Sequence, residues 1–113
     1  MKAAIVVMYG AARPGHERES ISYARDVDEF WLARAREGAC SEPTWLWSSK
    51  GQSIWFVQGE APAIFELTMR EDVRKMLMKG NMLIEDFSWE TCMVGRDEML
   101  SLFDQVAGEL AHA

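Results

Sequence analysis

Arg13, His16 and Glu17 fall close together in a segment that Gly10 opens and that Pro14 and Gly15 interrupt. An imidazole titrates near neutral pH, so His16 can act as a general base. A neighbouring guanidinium can hold an anionic group with fixed donors, and a carboxylate can orient the ring. The bland reading is a polar loop leading into a helix, although binding groups do concentrate on loops. The other histidine, His112, lies at the end of the chain, where ends fray, and is given no role. Trp45, Trp47, Trp55 and Trp89 sit in apolar stretches and could line a flat pocket for an aromatic ligand. Such side chains serve more often as core or interface. Tyr9 ends the first apolar run and adds a hydroxyl. The ligand-binding candidates are therefore Tyr9, Arg13, His16 and Trp55, with His16 as the candidate catalytic group. Asp86 follows Ile84 on one face of an expected strand, where an apolar setting would raise its pKa. A charge defending an edge strand explains it as well.

Much chemistry is missing. The chain has no phosphate-binding loop, no H-E-x-x-H, no nucleophile elbow and no carboxylate cluster suited to a metal. Cys40 and Cys92 form no C-x-x-C pair and have no histidine at ligand spacing. They read as reduced, small apolar side chains of a cytoplasmic protein. Neither a metal nor a cofactor is expected. The net charge of −6 repels phosphate backbones, so nucleic acid is not expected as a partner. No apolar run approaches the ~18 residues of a membrane span, and the N-terminus lacks the pattern of a signal peptide.

Residues 3–9 are a continuous apolar run of strand length. In 18–37, Ile21, Ala24, Val27, Trp31 and Ala35 step by three or four, which predicts a helix stopped by Gly38. Residues 40–48 predict a strand with Trp45 and Trp47 on one face, and Pro43 within it marks an edge. The turn Ser48-Ser49-Lys50-Gly51 joins it to a strand over 53–58. Pro62 suits the first turn of a helix carrying Ile64, Phe65 and Leu67. A second piece follows over 71–79, with Thr68 and Glu71 at capping-box spacing and Gly80-Asn81 as its end. Residues 82–94 predict a last strand, and 96–111 a final helix with Met99, Leu102, Phe103, Val106 and Leu110 on one side.

The order predicts an α+β, ferredoxin-like βαββαβ domain over residues 1–113 with an extra C-terminal helix. The expected antiparallel sheet order is 4-1-3-2. Strands 1 and 3 are the most apolar and belong in the centre. The proline strand and the charged strand carry edge devices. Ile54-Trp55-Phe56-Val57 is apolar on both parities, yet alternate side chains face opposite ways. The helices suffice to cover one face only. A second copy is expected on the other.

Arg13-Pro14 followed by Arg18-Glu19, the run Trp55-Phe56-Val57-Gln58-Gly59, and Leu83-Ile84-Glu85-Asp86-Phe87 carry a resemblance. The chain resembles the dimeric α/β-barrel group, within it a set of small uncharacterised proteins. It departs from that group at the hairpin turn Ser49-Lys50-Gly51-Gln52, which replaces a glycine-rich turn ending in an acidic residue. The resemblance implies two ferredoxin-like sheets packed face to face in a homodimer. The group includes cofactor-free monooxygenases, isomerases, haem enzymes and ligand-binding regulatory domains, so it implies no single activity. Two readings stay open. One is a small-molecule-binding protein or cofactor-independent enzyme. The other is a non-catalytic dimeric interaction module.

Overall fold

The computed structural model of the chain describes residues 1–112. Strand β1 is Lys2–Tyr9, helix α1 Glu17–Arg36, β2 Thr44–Trp47 and β3 Ser53–Glu60. Helices α2 (Ala61–Met69) and α3 (Glu71–Leu83), strand β4 (Ser88–Val94) and helix α4 (Arg96–Ala111) follow. The four strands form one antiparallel sheet in the order β2-β3-β1-β4, which is the expected 4-1-3-2 read from the other side.

The register decides which face each side chain takes. Val7 lies opposite Trp55 and Ile5 opposite Val57, so these four share a face. All are within 1% of complete burial, under Val27 and Trp31 of α1, Ile64 and Leu67 of α2, and Val73 of α3. Val6 lies opposite Phe56 and Met8 opposite Ile54, and these four form the other face. No helix covers them, and they remain partly exposed.

Helix α1 buries Ser20, Tyr23, Val27 and Trp31. The apolar stripe expected from sequence is therefore turned by about one residue, and Ile21 is exposed. Two hydroxyls cause the turn by satisfying carbonyls of α3. Ser20 Oγ donates to Leu83 O at 3.2 Å, and the Tyr23 hydroxyl donates to Met76 O at 2.7 Å.

Three boundaries differ from expectation. Strand β2 spans Thr44–Trp47 rather than 40–48. Thr68 does not cap α3, because its Oγ1 donates back to Phe65 O at 2.6 Å. The joint between α2 and α3 is Arg70, in extended conformation. The largest difference is at 82–94. Helix α3 runs through Gly80-Asn81 to Leu83, and the strand begins only at Ser88. Gly80 is a packing residue, since a Cβ there would strike the Phe87 ring and the Tyr23 hydroxyl. Asp86 is consequently in a turn, at φ 55°, and not on a strand face. Ile84 bridges to Ala12, and Arg13 N–H donates to Leu83 O. These contacts seat the loop after β1 against the end of α3.

Candidate functional site

A cavity of about 280 Å³ opens between α1 and the ends of β1 and β3. That is near the lower end of the ~300–1,000 Å³ range of small-molecule sites. Trp55 forms its floor from the central strand, and Trp45 its side wall from the edge strand. The Trp45 and Trp55 rings lie 5.9 Å apart at 46°, and Trp31 continues the stack 5.6 Å beyond Trp55. Trp45 is fixed from α1, because its Nε1–H donates to Asp28 Oδ1 at 3.0 Å. Phe87 and Ile84 close the far side, brought there by the turn that replaces the expected start of β4.

Polar groups are few. Ser20 and Tyr23 line the cavity, but their protons are committed to α3 carbonyls. Burial holds Tyr23 protonated well above the usual tyrosine range. Tyr9 also lines the cavity. Burial raises its pKa, and a hydrogen bond with Ser53 acts more weakly in the other direction. Its hydroxyl is thus a neutral group at any physiological pH. Glu17, at the start of α1, is the one charged residue in the lining, and one of its carboxylate oxygens accepts from Gly15 N–H at 3.3 Å.

Of the four residues singled out in the sequence, the cavity brings together Tyr9 and Trp55. Arg13 and His16 lie outside the lining. The Arg13 guanidinium donates from Nε and Nη2 to Asn81 O, at 3.3 and 3.1 Å, and so ties the loop to α3. His16 precedes α1 with its side chain 44% exposed. Its Nδ1 meets Glu19 Oε1 at 3.1 Å, so Glu19 orients the ring and Glu17 does not. Helical geometry explains this, because positions three apart share a face and adjacent ones do not. Ser20, Tyr23, Ile84 and Phe87 were not singled out in the sequence. Two hydroxyl residues on the buried stripe of α1 were the available signal for the first pair. Among the described residues, no three His, Cys, Asp or Glu side chains cluster as a metal site requires. Both cysteines are free, and burial raises the Cys40 thiol to about 11.

The fold is ferredoxin-like. One similar solved structure is a mutant of SnoaB, a cofactor-independent oxygenase from Streptomyces nogalater, with a TM-score of 0.64 and 11% identity over 84% of this chain and 94% of that one. Rv0793 from Mycobacterium tuberculosis gives 0.61 at 14% identity, over 85% and 97%. A dimeric protein of unknown function and ferredoxin-like fold from Bacteroides fragilis gives 0.59 at 7% identity, over 82% and 96%. No protein-family model matches the chain, and no curated protein matches its sequence. The likeness is one of fold.

Proposed function

We propose that the chain, acting as one domain over residues 1–113, binds a small, largely apolar molecule in the cavity floored by Trp55. The observation that carries this reading is the lining itself: tilted indoles on two sides, the neutral Tyr9 hydroxyl and a single carboxylate. An aromatic skeleton would stack against the indoles. With Glu17 as the only charged lining residue and no basic one beside it, neutral or cationic ligands should bind better than anionic ones. Arg13 and His16 lie outside the lining and adjoin its residues Ala12 and Glu17 only in sequence. If the molecule is also turned over, as SnoaB turns over its substrate without a cofactor, His16 is the proton acceptor in this reading. His16→Ala would then abolish turnover and spare binding.

The reading includes a homodimer joined through the open sheet face and held in the cytoplasm. Val6, Met8, Ile54 and Phe56 on that face support the dimer, as does the dimeric protein of the same fold. The two free cysteines fit a reducing compartment. No described helix is long and apolar enough to cross a membrane.

The test is a tryptophan-fluorescence titration with one bicyclic aromatic skeleton carrying an alcohol, an amine or a carboxylate. The alcohol and amine are expected to quench Trp45 and Trp55, the carboxylate to bind at least tenfold more weakly, and Trp55→Ala to bind none. Native mass spectrometry of protein from its own host would show a co-purifying molecule. Failure of every probe, with no co-purifying mass, would leave the second reading, a non-catalytic interaction module. The exposed apolar surface of the open face and of α4 favours that alternative.

A further inference from the structure

Helix α4 buries none of its residues. It nevertheless exposes Met99, Leu100, Leu102, Phe103, Val106 and Leu110. Met99, Phe103, Val106 and Leu110 recur at spacings of four, three and four, and Leu100 and Leu102 widen the stripe on either side. So broad an apolar face suits a helix that packs onto a body of protein, not a narrow two-helix seam. An isolated helix of this length is marginal in water. The chain's radius of gyration is 16.5 Å, against about 13 Å for a compact chain of this size, because α4 stands away from the rest.

The same chain carries a vacant groove that matches this helix. Leu77, Met78, Phe87 and Trp89 line it between α3 and β4, with Arg74 at its edge. Met78 and Met82 are exposed by 67% and 71%. They lie on one helical row with Arg74. Methionine-rich grooves accept apolar helix faces readily. The charges also match. Apart from Arg96, the charged residues of α4 are Asp97, Glu98, Asp104 and Glu109, while Arg74 borders the groove.

We infer that α4 of one copy docks in the α3–β4 groove of a second copy, and that the exchange is reciprocal. This rests on the sheet-face dimer of the proposed function. Area is the reason for choosing the second copy as occupant. The open face of four short strands covers only about 400 Å² at ~4.8 Å between strands and ~3.3 Å per residue. A specific interface buries about 800 Å² per partner. One α4 given and one received cover the difference, since a helix of this length covers about 240 Å². The groove lies on the helix side of the sheet, since Trp89 is registered opposite Val7, so a partner's α4 must pass the β4 edge: the sheets lie about 10 Å apart, the helical layer about as far again, and the helix is about 24 Å long. The joint requires glycine: Gly95 has φ 148°, a Cβ there would strike the Glu98 carboxylate, and Met99 N–H donates to Gly95 O.

Sedimentation of the full-length chain tests this, with the double variant Phe103→Glu/Val106→Glu, the groove variant Met78→Glu and the sheet variant Phe56→Glu. All four positions lie outside the buried core. The unaltered chain is expected to sediment at twice 12.9 kDa, and each variant to weaken dimerisation at least tenfold. A second arm mixes a Met78→Cys chain with a Phe103→Cys chain, both with Cys40→Ser and Cys92→Ser. It is expected to give a disulfide-linked pair. If Phe56→Glu dissociates the dimer while the α4 and groove variants do not, the exchange is wrong and the sheet dimer stands. If the unaltered chain is monomeric at tens of micromolar, both fail. A monomer whose α4 amides resist hydrogen exchange would show that α4 packs on its own chain, which also overturns the exchange.

Discussion

The two faces of the sheet are built from the same strands and nearly the same residue types, yet they end in different states. Ile5, Val7, Trp55 and Val57 are sealed under three helices. Val6, Met8, Ile54 and Phe56 alternate with them along the same backbone and stay partly exposed. Strand propensity is the same for both sets, so it is not what separates them. The helical layer is, and at about 25 cal/mol per Å² of apolar surface the covered face holds most of the monomer's stability. The open face can contribute only when something covers it. The cavity lies on the covered side, where the layer is incomplete over the Trp45–Trp55 pair.

Trp55→Ala should produce the largest effect. A fully buried indole between Trp31 and Trp45 is removed, and the loss should be ~3–5 kcal/mol, read by urea unfolding. An unchanged unfolding midpoint would mean that the covered face is not the core. Gly80→Ala comes next. Alanine favours a helix by about 1 kcal/mol over glycine, but the new methyl strikes Phe87 and the Tyr23 hydroxyl. Overpacking costs typically ~1–3 kcal/mol, so a net loss is expected, and a stabilised variant would show that α3 can shift away from α1.

Phe56→Ala sharpens the comparison directly. In dilute monomer it should cost less than Trp55→Ala, since part of the ring is already in water. Its main effect should be a concentration-dependent melting temperature that falls more at high protein concentration. Equal losses at all concentrations would place Phe56 in the monomer core.

The smallest effect lies outside both faces, where Arg34, Arg70, Glu37 and Asp72 tie α1 to α3. The Arg70 guanidinium donates to Asp72 and holds its carboxyl below the ordinary value of 3.8. A carboxyl depressed in the folded state stabilises above its unfolded pKa and loses that contribution as pH falls through the lower folded one. Asp72→Asn should therefore cost less than ~1 kcal/mol near neutrality, because the pair is half-exposed. The gap from the unaltered chain should close below about pH 4. A gap that persists at pH 2 would assign the loss to packing instead.

Most of the fold was legible in the sequence because it rests on local pattern and length. The run 3–9, the hairpin turn at 48–51 and the double-parity strand 53–58 each dictate one element, and connection rules then leave few topologies. Tyr9 and Trp55 were readable as candidates for the same reason, one ending a central strand and the other filling its neighbour. Leu83-Ile84-Glu85-Asp86-Phe87 was misread because its alternation suits a strand, while Gly80 has the look of a helix stop. What Gly80 does depends on Phe87 and Tyr23, which only the assembled chain brings to it. Tertiary structure alone also turned α1 so that Ser20 and Tyr23 face inward, seated Arg13 on Asn81 rather than in the cavity, and gave His16 to Glu19. Periodicity is a property of neighbouring residues and survives in the sequence. Hydrogen-bond partners and close approaches join residues as distant in the chain as Gly10 and Glu85, and no local pattern carries them.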